Sequence, residues 1–247
     1  MSHIARLFVE SDLCEGVVAP LDEGQSKYLL RVMRLEDGAV LRAFNGRDGE
    51  WRSALRVSGK KASLEPLEQT RAQAAGLDLT LMFAPIKKAR TDFIVEKASE
   101  LGVRVLQPVM TEYTQSSRVR AHRLQSLVIE AAEQTERMDI PEVRDDLPLA
   151  KALAGWDSGK PLYYCDEGSE AQPMADVLRG ESLQAAGLLI GPEGGFSPRE
   201  REMLRALDFV IPVTLGPRIL RAETAVVSAL TLWQALVGDW GEGPYLA

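Results

Sequence analysis

The order strand, glycine loop, helix is written into Gly187-Leu188-Leu189-Ile190-Gly191-Pro192-Glu193-Gly194-Gly195-Phe196-Ser197-Pro198-Arg199-Glu200. The apolar run ending at Ile190 reads as a buried strand. Glycines at 191, 194 and 195 then let the backbone turn tightly and approach a ligand without Cβ obstruction. Ser197-Pro198-Arg199-Glu200 is a capping box with proline at the first helical position, so the loop feeds a helix N-terminus. A loop so placed presents free backbone N–H groups, but it matches neither GxxxxGK[ST] nor GxGxxG, which disfavours a P-loop and a dinucleotide fingerprint. Alone it is equally compatible with a structural turn.

A second loop of the same design follows the apolar run 209–213: Leu215-Gly216-Pro217-Arg218-Ile219-Leu220-Arg221-Ala222-Glu223-Thr224-Ala225. The helix after it buries Val226, Ala229, Leu230, Trp233, Leu236 and Val237 by its spacing, and Gly238 ends it. Further β-runs at 77–84, 103–107 and 162–165 alternate with helical patterns, which indicates an α/β domain with a largely parallel sheet. On one of those helices Leu124, Leu127, Val128, Ala131, Ala132 and Thr135 form the buried stripe. Glu130, Gln134 and Arg137 share another face, a spacing that suits a solvated surface as well as a functional one.

The first part of the chain has a different rhythm. Short β-runs at 4–9, 39–44 and 51–57 are broken by turns, with Asn45-Gly46-Arg47-Asp48-Gly49 as a hairpin signal, and a small barrel is expected. A short helix around Leu29–Met33 carries Arg31 and Arg34. The aperiodic segment Glu68–Gly76 separates the two rhythms, giving domains at 1–70 and 71–247.

Bulk properties narrow the classes. With 247 residues, 45% hydrophobic and 26% charged, the chain is an ordinary globular one. No apolar run reaches the roughly 20 residues that span a bilayer, and Met-Ser-His-Ile-Ala-Arg lacks a secretory apolar core, so a cytoplasmic location is expected. Cys14 and Cys165 belong to no metal-binding spacing and read as reduced thiols. With His3 and His122 as the only histidines, neither a metal cluster nor a Ser-His-Asp triad is expected. His122, near Arg118, Arg120 and Arg123, belongs to a solvated or RNA-facing surface. A net charge of −7 argues at first against a nucleic-acid partner. Between Lys27 and Lys61, however, nine Lys/Arg face four acids, so a basic face is available.

Together the two loops resemble the paired C-terminal motifs of the SPOUT-type RNA methyltransferases, specifically the RsmE family, which methylates N3 of a uridine in 16S rRNA. Three upstream blocks extend the resemblance: Lys87-Lys88 with Glu96-Lys97-Ala98-Ser99-Glu100-Leu101-Gly102-Val103; Glu130–Arg137 with Pro141; and Tyr28-Leu29-Leu30-Arg31-Val32-Met33-Arg34. The chain departs from that family at Thr111-Glu112-Tyr113-Thr114, where Thr-Glu-Arg-Ser is common, and near Lys27-Tyr28-Leu29, where His-His-Leu is common.

The resemblance implies a PUA-like β-barrel followed by a trefoil-knotted α/β methyltransferase domain, a homodimer, and 16S rRNA or the small ribosomal subunit as partner, with neither metal nor membrane. It places S-adenosylmethionine among Ile190, Gly191, Glu193, Gly194, Gly195, Leu215, Gly216, Ile219 and Leu220. In that position Gly194→Val is expected to abolish cofactor binding. Removal of the uracil N3 proton calls for a base, for which Glu193 and Glu223 are candidates, although each is equally suited to a structural hydrogen bond. Arg221 is the candidate for stabilising charge on a uracil oxygen. Arg31, Arg34, Lys87, Lys88 and Arg137 are the candidate RNA contacts. Another SPOUT target, such as a tRNA nucleoside, and a non-catalytic RNA-binding factor remain the alternative readings.

Overall fold

The computed structural model describes residues 4–74, 76–116, 119–166 and 171–241; His3, Arg118 and the tail 242–247 lie outside them. The chain divides into two units, residues 1–75 with 132–140, and 76–131 with 141–247. The sequence break at residue 70 therefore falls inside a strand, and the segment 132–140 belongs to the first unit although the sequence assigns it to the second domain.

In the first unit, β1 (Arg6–Phe8) and β2 (Ala19–Pro20) precede α1 (Glu23–Lys27), a π-helical turn at Tyr28–Val32, and β3 (Val40–Phe44), β4 (Glu50–Ser58) and β5 (Lys61–Arg71). The hydrogen-bonded order is β1-β3-β4-β5-β2, with β1 parallel to β3 and the other pairs antiparallel. Residues 45–49 close the β3–β4 hairpin as their turn chemistry requires, with Phe44 opposite Glu50. Leu7, Leu41, Leu55 and Leu64 alternate inward to form the core, and Leu29 of the π-helical turn plugs into it. That plug leaves Tyr28, Arg31, Val32 and Met33 exposed, with Arg34 beyond them in the left-handed region at φ +55°.

A charged cluster organises the same unit. Arg6 and Glu50 are buried and joined at 2.7 Å, and Arg71 reaches the same carboxylate at 2.9 Å. Arg42 pairs with Glu136 in a two-pronged contact. Arg6 also donates to the carbonyls of Ala132 and Arg137, while its guanidinium stacks 3.7 Å over the Phe44 ring. Arg6 thus finds its carbonyl acceptors on a segment more than a hundred residues away in sequence, whereas Arg71 Nε is buried without a partner among the described residues.

The second unit is built on parallel pairing throughout. Its elements are β6 (Asp78–Phe83), α2 (Lys88–Glu100), β7 (Val105–Met110), α3 (Ala121–Gln134, whose last three residues belong to the first unit), β8 (Glu142–Val143), β9 (Leu147–Pro148), α4 (Leu149–Ala154), β10 (Leu162–Cys165), β11 (Gln172–Pro173), α5 (Met174–Val177), β12 (Ala185–Ile190), α6 (Pro198–Arg205), β13 (Val210–Thr214) and α7 (Ala222–Leu236). The sheet order is β11-β13-β10-β12-β6-β7-β8, with β9 pairing β7 off this path. A sheet buried on both faces explains the continuous apolar strands. Consecutive residues of β10 show it: Tyr163 meets Trp233 of α7, while Tyr164 points oppositely and meets the edge of Phe196.

Two expectations about the helices are corrected. The helix α3 ends at Gln134, and Glu136 has φ +63°, so Arg137 is turned off the face it was expected to share with Glu130 and Gln134. On α7, Val226, Ala229, Leu230 and Trp233 are buried, but Leu236 is exposed because the helix stops there and Val237 caps it.

Candidate active site

The two glycine loops extend from the C-terminal ends of β12 and β13, strands that flank β10 on either side. Parallel strands deliver their loops to one end, and this end is where open α/β sheets bind ligands. Between the loops lies a cavity of about 470 Å³, within the usual range for small-molecule sites. Ile190, Gly191, Gly195, Leu215, Gly216, Ile219 and Leu220 of the sequence-derived cofactor set all line it. Glu193 and Gly194 do not; they face a second cavity of about 360 Å³ on the other side of the loop.

Local chemistry fixes the loop in this form. Ser197 accepts from the Glu200 amide at 3.2 Å, and the Ser197 amide donates back to the Glu200 carboxylate at 2.9 Å, completing the capping box. The other Glu200 oxygen accepts from the Glu112 amide at 2.9 Å, tying the turn after β7 to α6. Gly195 and Gly216 occupy the left-handed region at φ +66° and +109°. At Gly191 the constraint is close approach: an added Cβ would lie 2.6 Å from the Phe196 ring.

The larger cavity is apolar along Ile190, Phe196, Leu220 and Ala225, with backbone edges between them. The carboxylate of Asp166 is buried at its wall, 3.5 Å from Arg201 and 3.2 Å from Arg205. Burial pushes the Cys165 thiol up to about 12, so this lining residue stays a protonated, soft wall. Burial, followed by the nearby Asp166 charge, likewise raises the Tyr164 phenol and keeps it neutral. Ile219 stands 82% exposed at the loop tip. Apolar walls, polar backbone edges and a glycine cradle fit an adenosyl group with a short charged tail.

A cation that the sequence reading did not single out joins the two loops. Arg90, in the first turn of α2, pairs with Glu193 and lies 3.5 Å from Glu223 in the first turn of α7. Both candidate bases therefore share one guanidinium. Glu193 is half-exposed, whereas Glu223 is largely buried, and its Oε2 has no hydrogen-bond partner among the described residues. Local patterning cannot reveal Arg90, because 103 residues separate it from Glu193.

The remaining candidates fall into three settings. Arg221 is the N-cap residue of α7, exposed, and lines neither cavity. Lys87 and Lys88 are exposed at the start of α2 and line the smaller cavity. Arg31 and Arg34 are exposed in the first unit. Arg137 is different: Asp139 holds its guanidinium at 2.9 and 2.7 Å, and its side chain is largely buried. Its charge is already matched within the chain, so it lacks the free guanidinium expected of an RNA contact. His122 is exposed on α3.

Comparison with known proteins follows the same division. A family model described as an RNA methyltransferase domain matches residues 73–234, and one described as an RNA methyltransferase PUA domain matches residues 21–66. Ribosomal RNA small subunit methyltransferase E of Rickettsia conorii is 31% identical over 91% of this chain and 93% of its own. The chain belongs to the ribosomal RNA small subunit methyltransferase E family. The Synechocystis member is 32% identical over 94% of this chain and 78% of its own. The Neisseria gonorrhoeae family member, solved bound to S-adenosyl methionine, superposes with a TM-score of 0.85 at 29% identity, covering 96% of this chain and 100% of that one. A Legionella pneumophila methyltransferase in complex with the cofactor SAM gives 0.84 at 27% identity, covering 96% and 99%. Membership in this family accounts for the two-unit architecture and for the glycine cavity at the strand ends. Among the described residues, no helix is long and apolar enough to cross a membrane, and no His/Cys/Asp/Glu cluster could hold a metal ion.

Proposed function

We propose that this chain transfers a methyl group from S-adenosylmethionine to N3 of a uridine in 16S rRNA, acting in the cytoplasm as a homodimer on the rRNA or the small subunit. The observation that carries the reading is the cavity between the two glycine loops in a chain of this family. The order β13-β10-β12 supports the threaded, knotted path that the family likeness implies.

Bound S-adenosylmethionine supplies an electrophilic methyl carbon whose bonding pair leaves with the sulfonium sulfur. The chain's task is alignment and control of one proton. Backbone edges at Gly191, Gly195, Leu215 and Gly216 orient the donor, and Ile190, Ile219 and Leu220 cover its apolar parts. The acceptor's N3 proton passes to a carboxylate, and the N3 electron pair forms the new N–CH3 bond. Glu193, which lines the smaller cavity, and Glu223 are the candidate carboxylates, and Arg90 contacts both. Arg221 offers an exposed cation to an arriving phosphate or base oxygen. Arg31, Arg34, Lys87 and Lys88 supply exposed charge for RNA, so binding should weaken as salt rises.

The test is mass mapping of rRNA after reaction with the purified protein and isotopically labelled S-adenosylmethionine. The expected product carries one label on N3 of one uridine of 16S rRNA. Label on another atom or on tRNA overturns the substrate assignment, and cofactor binding without transfer to any RNA overturns the enzymatic one.

A further inference from the structure

The smaller cavity, on the opposite side of the 191–195 loop from the cofactor cavity, is lined by Lys87, Lys88, Tyr113, Gln115, Glu193 and Gly194 over a floor that includes Ile86. We infer that it is the subsite for the acceptor nucleotide, taking a pyrimidine turned out of the RNA stack. The inference rests on the methyltransferase reading above and adds to it the place where the substrate base sits.

Three observations carry it. Pro192 lines both cavities, so a single loop forms the wall between them, and a methyl acceptor has to lie directly beside the donor site. The volume of about 360 Å³ and a lining that mixes lysine, amide, aromatic and backbone groups suit one nucleotide. The third is chemistry. Tyr113 is 45% exposed and offers a ring for base stacking. Gln115 carries an amide N–H that can donate to one uracil carbonyl while leaving N3 free to face the methyl donor and the carboxylate. Lys87 and Lys88 stand free in solvent at the rim, where the nucleotide's phosphates enter.

The walls are fixed before any substrate arrives. The Tyr113 turn is pinned by the Glu112 amide on Glu200 and by the Thr111 amide and hydroxyl on the Thr114 hydroxyl. The Ile86 floor is held by a reciprocal pair with Thr91, whose hydroxyl accepts from the Ile86 amide and donates to its carbonyl, both at 3.0 Å. Arg90 neutralises the one carboxylate on the rim, Glu193, so the entrance does not repel phosphate. Gly194 lies beside Tyr113, where an added Cβ would stand in ordinary contact with the Tyr113 Cβ at 3.4 Å.

The experiment uses the full chain with rRNA. Tyr113→Ala and Gln115→Ala should each raise KM for RNA by about tenfold, the effect of losing a stacked or hydrogen-bonded base, with S-adenosylmethionine affinity by calorimetry unchanged. Tyr113→Phe, which keeps the ring, should restore the wild-type KM. RNA carrying 4-thiouridine at the mapped position should crosslink within residues 113–116 on irradiation. Unchanged KM and kcat in both alanine variants of an active enzyme, or crosslinks confined to the Ile219 loop, overturn the subsite alone. A wild-type chain that methylates no small-subunit RNA overturns the functional reading and the subsite with it.

Discussion

Gly191 and Gly194 are separated by two residues and constrained by different things. A methyl group at 191 would meet the Phe196 ring at 2.6 Å, and that ring is locked edge-on against Tyr164 in the core. Gly191→Ala is therefore expected to lower stability by about 1–3 kcal/mol and to weaken S-adenosylmethionine binding at least roughly tenfold, read by thermal melting and calorimetry. Gly194 lies beside Tyr113 and lines the smaller cavity, so a loss of RNA binding with cofactor affinity retained in Gly194→Val would assign it to that cavity, and a loss of cofactor binding to the donor site. Arg90 presents the complementary case of one cation serving two loops. Arg90→Ala leaves Glu193 and Glu223 without their shared partner and should reduce kcat by roughly one to two orders of magnitude. Arg90→Lys, which keeps the charge without the planar fork, should recover part of the loss. An unchanged kcat in the alanine variant would remove Arg90 from the site.

Among the elements, α6 shows how a local signal acquires a distant task. Ser197-Pro198-Arg199-Glu200 announces a helix start by its residue types alone, and the bonds between Ser197 and Glu200 form as that motif demands. The carboxylate is also buried, and its second oxygen holds the Glu112 amide 88 positions away. Ser197→Ala should thus cost about 1 kcal/mol, the worth of a cap. Glu200→Ala should cost more, about 2–3 kcal/mol, since it also leaves the Glu112 amide unsatisfied. Denaturant midpoints compare the two; equal losses would mean that the link to the Tyr113 turn contributes little. The π-helical turn at Tyr28–Val32 was legible only as a short helix, because the same apolar spacing serves either winding. Its wider winding follows Leu29, which is fully buried in the barrel core.

In the first unit as a whole, the buried charges form one system. Burial by itself would raise the Glu50 carboxyl, but the Arg6 hydrogen bond and the charges of Arg71 and Arg6 outweigh it and hold the group below its ordinary 4.5. The Leu13 amide and Asn45 hold Asp48 low as well. A carboxylate depressed on folding contributes stability above its unfolded value and loses it as pH falls through the folded one. Stability of this unit should accordingly be level near neutrality and decline from about pH 4.5 downward, as denaturant titrations at stepped pH would show. Glu50→Gln should flatten that decline, and Glu50→Ala, which leaves Arg6 buried without its carboxylate, should cost about 3–5 kcal/mol at pH 7.

The sequence by itself determined what depends on near neighbours along the chain: the alternation of strands and helices, the hairpin at 45–49, the caps, and the two glycine loops with their place after apolar strands. Those features follow from turn chemistry and periodicity, which act within a few residues. The match of five ordered blocks also named the family. Only the tertiary structure decided which charges are free. Arg137 reads as an open RNA contact until Glu136 turns the chain and Asp139 closes on its guanidinium. Arg90 reads as one more surface cation until α2 brings it to both candidate bases. The same holds for the 191–195 loop, whose sequence promises one ligand while its two sides line two cavities. Arg90 meets carboxylates more than a hundred positions away, and Arg137 meets Asp139, two residues on, beside the left-handed turn at Glu136; neither pairing is encoded by periodicity or residue type, because both depend on how the chain is bent in space.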